Sequence, residues 1–435
     1  MRLPILLSAL STCLSLAIPA VVRAQAPAGA AEEMPRIRIT DPNRDLFKLA
    51  LPNVVGDGAV ATEAQEVQRR ALDIMGLFNL INPSAFPPDL QREGMGFSSA
   101  LWSQVGAQGV AKLSASRQGG MFAIEGRLYQ VGRGEQPVLT KTYRGPALRP
   151  IVLEWVNDVI QQFTGTRGPF GSRIAFAQTG RQAEIATIGA DGADLKVLTR
   201  MGAECLMPAY SPDGSQIAFT SYLRGTPDLW VVAAGGGRAR TVTKKPGMNS
   251  GADWSPDGRN IVLTQSYEGN AELYRVNLDG TRSDRLTRGP FIDMSATHSP
   301  DGSQIAFVSD RGGSPQVYVM AANGGAPRRL TFQGGNNTTP RWSPDAKKPR
   351  IAFTGRDEKG QFDVFIYDMQ TQKIERITQN QGSNQSPDWS PDGRLLVYAS
   401  SRGGLFVANP ETRKEVQIYR GRANSPSWGP APRAR

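Results

Sequence analysis

Ser211-Pro212-Asp213-Gly214 returns as Ser255-Pro256-Asp257-Gly258, Ser299-Pro300-Asp301-Gly302 and Ser390-Pro391-Asp392-Gly393, with Ser343-Pro344-Asp345-Ala346 as a degenerate copy. The leading serines lie 44, 44, 44 and 47 residues apart. A fixed period of this length marks a repeat architecture built from four-stranded units. Each tetrapeptide has the composition of a type I turn: serine at the first corner, proline presetting φ at the second, aspartate at the third, glycine leaving. Tyr210, Trp254, His298, Trp342 and Trp389 stand immediately before the copies, and apolar runs follow them. The local pattern is strand, tight turn, strand.

The second strand gives the count. Ile174-Ala175-Phe176, Ile217-Ala218-Phe219, Ile261-Val262-Leu263, Ile305-Ala306-Phe307, Ile351-Ala352-Phe353 and Leu396-Val397-Tyr398 occupy one place in successive repeats. Within one repeat, the bend Asp310-Arg311-Gly312-Gly313 leads to a third strand at 316–320, and Asn323-Gly324-Gly325 turns the chain into a fourth. The predicted fold is an all-β six-bladed β-propeller over residues 172–430, preceded by a small α/β domain. The first repeat lacks its first strand, while Asn424 to Pro430 carries the Ser-Pro-Ser-Trp segment of a repeat without its blade. The C-terminal strand is therefore expected to close blade one and remove an exposed sheet edge.

Residues 1–26 carry Arg2, an apolar stretch, Pro19 and the small-residue site Ala24-Gln25-Ala26, and so read as a secretory signal cleaved after Ala26 or Ala24. Lipidation of Cys13 is the weaker alternative, because the apolar core continues past it. No later stretch has the roughly 20 apolar residues that span a bilayer. Residues 27–35 form a tail of Ala, Gly, Pro and Glu. Over 36–165 an α/β domain is expected: strands at 36–40 and 47–51, helices at 63–75 and 151–163, and a hairpin around Gln118-Gly119-Gly120. Residues 166–171 read as a linker from their glycines and proline.

The formal charge of +11 falls to +9 when the signal is removed, because Arg2 and Arg23 leave and no acid does. Lysine and arginine are dispersed rather than massed, which argues against nucleic acid and for a basic surface facing an acidic partner. Cys205 alone remains, so no intramolecular disulfide can form, and a buried small apolar role is the simplest reading. The one histidine, His298, stands where three other repeats carry tryptophan, and no Gly-Xaa-Ser-Xaa-Gly elbow is present. No catalytic residue, cofactor site or metal site is predicted. The repeated aspartates belong to turns, and the Gly-rich pieces open no helix that could cradle phosphate. A periplasmic hydrolase or lactonase with an axial metal site is the competing class.

Function then falls to a surface. The Ser-Pro-Asp-Gly end is monotonous, whereas the connections from each fourth strand to the next first strand differ between blades and converge on the axis. Irregular loops around a central opening suit recognition of a protein or peptide.

The repeats, the stretch Ala71-Leu72-Asp73-Ile74-Met75-Gly76-Leu77-Phe78 and the junction Phe163 to Phe176 resemble the TolB family, periplasmic components of the Tol-Pal system. The resemblance implies a non-enzymatic, monomeric adaptor supporting outer-membrane integrity and cell division. It implies that the lipoprotein Pal binds the loop face, at Met248, Asn249, Gly251, Asp293, Met294, Asn337, Thr338, Asn384 and Gln385. It also implies that the C-terminal domain of TolA, itself energised by TolQ and TolR, binds the N-terminal segment around Arg36, Ile37, Arg38, Ile39 and Thr40 by strand addition. Some relatives carry histidine at the position of Met248, so any contact made by that ring is absent here.

Overall fold

The structure, a computed structural model, describes residues 46–431. The expected signal and tail, with Ala26 and Arg36, Ile37, Arg38, Ile39 and Thr40, lie outside the described residues.

The first part is an α/β layer. Strand β1 (Phe47–Ala50) and β2 (Val55–Gly56) precede helix α1 (Gly58–Met75); β3 (Phe78–Leu80), short helices α2 (Pro88–Arg92) and α3 (Ser99–Gln104), the hairpin β4 (Gly109–Gln118) and β5 (Met121–Gln130), β6 (Leu139–Gly145) and α4 (Leu148–Thr164) follow. The sheet runs β3-β1-β4-β5-β6, with β2 paired to β4. Alternation along β4 and β5 sends one face against α1 and α4 and the other against a cluster of Phe86, Leu90, Trp102 and Tyr129. Trp155 of α4 lies flat over Gly126, where a Cβ would come within 2.4 Å of the indole. Its N–H donates to Gln68 Oε1 at 2.7 Å. Helix α1 begins five residues before the apolar periodicity and ends at Gly76, whose φ of 66° is left-handed.

Six four-stranded sheets follow. Blade two is β10 (Cys205–Tyr210), β11 (Gln216–Ser221), β12 (Asp228–Ala233) and β13 (Arg240–Thr241), all antiparallel, numbering the strands of blade one as β7 (Arg173–Thr179), β8 (Ala183–Gly189) and β9 (Lys196–Val197). Blades three to six begin with Asn249–Trp254, Asp293–His298, Asn337–Trp342 and Asn384–Trp389. The segment Ala423–Trp428 pairs with β7 and is the inner strand of blade one. Its Trp428 indole donates to Ser172 Oγ at 2.8 Å, and its Trp428 N–H to Asp388 of blade six at 2.7 Å. The first strands contact one another in order around the axis and are innermost. Apolar side chains pack between blades: Ile217 and Phe219 of blade two, for example, cluster with Ile185 and Leu198 of blade one.

The repeated tetrapeptide is a closed turn. In the first copy the Gly214 N–H donates to Ser211 O at 2.9 Å, and Ser211 Oγ donates to Asp213 Oδ1 at 2.6 Å while accepting the Gln216 N–H at 2.9 Å. Gly214 has φ of 73°, which only glycine adopts without strain. The hydroxyl of Ser211 and the N–H and hydroxyl of Ser215 hold the Asp213 carboxyl down to about 2. These aspartates are occupied by their own turns.

The connection at 166–171 is packed rather than free. Asn157 holds Phe170 through its O and N–H at 2.8 and 3.2 Å, and Arg394 of blade six donates to Thr166 Oγ1 at 2.6 Å. Further ties join the two parts: Arg149 to Asp191 at 2.6 Å, Arg70 Nε to Asp191 O at 2.8 Å, and Asn409 Nδ2 to Met75 O at 3.0 Å.

Candidate partner-binding face

Each inner strand begins at the loop end and has the same internal plan. Its opening residue is interior: Asn249, Asp293, Asn337 and Asn384 are at most 3 % exposed. Asn249 accepts from Thr243 and Gln265, both at 2.8 Å, and donates to Lys245 O at 2.7 Å. Asn337 donates to Gln333 O at 2.7 Å and to Gln316 Oε1 at 2.8 Å. Asn384 donates to Gly382 O at 3.1 Å, and Asp293 is held bidentately by Arg311 at 2.9 and 3.0 Å. Burial pushes the Asp293 carboxyl upward, and Ser309 and Arg311 oppose it. These four expected contact residues are buried, and their side chains fasten the preceding loop to the blade.

The third residue of every inner strand is left-handed. Met207, Gly251, Ser295, Thr339, Ser386 and Ser425 have φ between 47° and 65°, and a register shift marks a bulge at each. Five are not glycine, so each carries backbone strain of roughly 1–3 kcal/mol. The six bulges form a ring at the mouth of the channel, with Gly251 and Ser295 as neighbours across one blade boundary. Of the remaining expected residues, Met248, Met294 and Thr338 are half-buried and Gln385 is exposed.

Six of the ten exposed large apolar side chains among the described residues sit at this end: Met207, Tyr222, Leu223, Phe291, Ile292 and Phe332, the last 72 % exposed. Arg329 lies 5.0 Å from the Phe332 ring and Arg311 5.5 Å from that of Phe291, so two of the aromatics present cation-backed faces. Sequence reasoning missed them. The available signal was an aromatic inside a polar connection, Phe291 after Gly289-Pro290 and Phe332 after Leu330-Thr331.

Deeper in the channel, the fifth residue of three inner strands, Asp253, Asp388 and Ser427, reaches toward the next blade. Asp253 Oδ2 accepts both the His298 N–H at 2.9 Å and a hydrogen bond with His298 Nδ1 at 3.0 Å, and Ser427 Oγ accepts the Tyr210 N–H at 3.3 Å. Asp388, 15 % exposed, faces Arg341 at 4.0 Å. Burial pushes its carboxyl up to about 6, against the pull of Arg341 and of the Trp428 and Trp389 N–H groups, with Asp253 on the opposite blade adding to the rise. These groups serve blade-to-blade bonding. Among the described residues no group of three or more His, Cys, Asp or Glu side chains is placed to hold a metal ion, and no helix is long and apolar enough to cross a membrane. Cys205 is buried against Ser221, and burial pushes its thiol up to about 11.

This is a two-part β-propeller protein whose irregular, apolar face lies opposite its repeated turns. Residues 160–432 match the TolB beta propeller domain and residues 35–137 the TolB amino-terminal domain, so the chain belongs to the TolB family. Similar proteins include the Tol-Pal system protein TolB of Anaeromyxobacter dehalogenans strain 2CP-C, 39 % identical over 225 residues, covering 50 % of this chain and 51 % of that one. The Myxococcus xanthus strain DK1622 counterpart is 37 % identical over 231 residues, 51 % of each. The chain thus spans about half the length of the curated relatives it matches. The crystal structure of TolB from Acinetobacter baumannii superposes with a TM-score of 0.78 at 25 % identity, over 89 % of this chain and 97 % of that one.

Proposed function

We propose that this chain is a non-enzymatic periplasmic adaptor that binds the lipoprotein Pal at the loop face of its propeller and TolA through its N-terminal segment, supporting outer-membrane integrity and constriction at division. The observation that carries the reading is the gathering of Met207, Tyr222, Leu223, Phe291, Ile292 and Phe332 on one end of the ring. Exposed apolar surface of this kind, rimmed by polar loops, marks a protein-binding site. Contact then falls to the half-buried and exposed positions, Met248, Gly251, Met294, Thr338 and Gln385, together with these apolar side chains. Asn249, Asp293, Asn337 and Asn384 act by holding the loops in shape.

Capture of Pal and of the TolA C-terminal domain by the full chain tests this. Phe291→Ser with Phe332→Ser should lower Pal retention at least about tenfold, the loss of a hot-spot pair, and leave TolA capture and the melting temperature unchanged. Deletion of residues 27–45 should do the reverse. Loss of both partners in both variants would refute two separate sites.

A further inference from the structure

On the flank of the ring, between blades one and two, lies a groove of about 1000 Å³ lined by Leu195, Val197, Met201, Leu223 and Trp230 and by the cations Lys196, Arg200 and Arg238. On blade five the cavity around the equivalent aromatic, Phe365, and its arginine, Arg376, holds about 350 Å³. The difference has a cause in the sequence. In blades three, four and five the fourth-strand residue paired with the third-strand aromatic is arginine: Arg285 with Tyr274, Arg329 with Tyr318, Arg376 with Phe365. Directly paired residues share a face of the sheet, and Arg376 lies 5.9 Å from the Phe365 ring centre. In blade two the pair is Trp230 with Thr241. A threonine is too short to cover an indole.

The uncovered site has three properties of a binding groove. Its floor continues into the interblade core, where Met201, Trp230 and Ala239 pack on Leu198 and Phe219. The Trp230 indole N–H, buried, has no acceptor. The outer edge of β9 is unpaired, because β9 is the last strand of its sheet. Charge then selects the occupant. Among the described residues no carboxylate lines the groove, and Lys196, Arg200 and Arg238 stand in no ion pair, Lys196 Nζ donating instead to Gly235 O. Glu184, behind the floor, is already occupied by Thr199 Oγ1 at 2.5 Å and the N–H groups of Met201 and Gly202 at 2.8 and 3.2 Å.

We propose that this groove, which runs from the loop rim at Leu223 down the flank between blades one and two, is a second docking surface, which takes an extended acidic segment of a protein partner with an aromatic or aliphatic anchor. The anchor lies on Trp230 where blades three, four and five place their arginine, the segment adds along β9, and its carboxylates meet Lys196, Arg200 and Arg238.

The test uses the full chain and a fluorescein-labelled peptide, Glu-Asp-Leu-Trp-Val-Asp-Glu, followed by anisotropy. Saturable binding is expected, weaker at about 300 mM than at about 50 mM salt because exposed charges are screened. A matched peptide with lysine in place of every acid should not bind. Thr241→Arg, which supplies the arginine that blades three, four and five have, should weaken binding at least about tenfold with an unchanged melting temperature. Arg200→Glu with Arg238→Glu should weaken it similarly, while Phe291→Ser with Phe332→Ser should not alter it. Absence of saturable binding, equal binding of the lysine peptide, or undiminished binding by both groove variants overturns the proposal. So does co-sedimentation with phosphatidylglycerol vesicles that Thr241→Arg abolishes, which would give the groove to an anionic lipid.

Discussion

Trp428 is where ring closure can be measured. Its side chain is buried, its indole N–H donates to Ser172 Oγ at 2.8 Å, and its backbone N–H donates to Asp388 on the neighbouring blade. Trp428→Ala removes a large buried ring and that hydrogen bond; truncations of this kind cost about 3–5 kcal/mol. In a domain of this size each kcal/mol lowers the melting temperature by about 2–4 °C, so a fall of roughly 6–20 °C is expected in calorimetry of the full chain. Trp428→Phe keeps most of the packing and loses the N–H, and should cost about 1–2 kcal/mol. The internal control is Trp342→Ala at the same place in blade five, where the ring is half-buried and its N–H has no partner. That variant should lose less than half as much. Equal losses at the two positions, or a Trp428→Ala protein melting within about 2 °C of the parent, would refute the idea that this strand locks the ring.

Three further outcomes follow from particular contacts. Gly126→Ala drives a methyl into the Trp155 indole at 2.4 Å, and the overpacking should cost about 1–3 kcal/mol in chemical denaturation. Asn337→Ala frees Gln333 O from its side-chain donor and leaves Gln316 Oε1 with Thr331 alone, and hydrogen exchange should accelerate across residues 332–337 while distant blades keep their protection. Asp388, raised by burial to about 6 from an ordinary value near 3.8, binds its proton more tightly folded than unfolded. Stability should therefore fall as pH rises from about 4 to about 6, by at most on the order of 3 kcal/mol. Asp388→Asn should flatten that part of the pH profile, measured as melting temperature against the parent.

The blade count was legible because the period repeats in two independent marks, the turn and the second-strand run, and turn chemistry depends on local sequence alone. The closing strand was legible for the same reason: Trp428 carried a repeat signature with no blade to belong to. Strand β6 was not, since it is an edge strand whose Thr140, Lys141, Thr142 and Arg144 face water and leave little apolar alternation. The left-handed bulges left no trace in composition either. Gly251 alone satisfies the usual preference; Ser295, Thr339, Ser386 and Ser425 are held there by tertiary structure, and local propensity cannot report it. The exposed aromatics were hidden by the opposite difficulty, being single residues in loops where no periodicity applies.

The four buried anchors carry a sharper lesson about carrying contact residues between relatives. Asn249, Asp293, Asn337 and Asn384 are separated by 44, 44 and 47 residues, the spacing of the Ser-Pro-Asp-Gly turns themselves. A feature that recurs with the period of the scaffold is part of the scaffold, because each blade must solve the same problem of fastening an incoming loop to a new inner strand. Residues that recognise one asymmetric partner have no reason to keep that period. By this criterion Phe291, Phe332 and Leu223 are the informative positions, each an exposed apolar side chain where its sister blades place something else, and Thr241 joins them by standing where blades three, four and five place arginine. Partner specificity in a propeller is thus to be sought in breaks of the repeat, and substitution of the periodic anchors should alter binding only as far as it loosens the loops they hold.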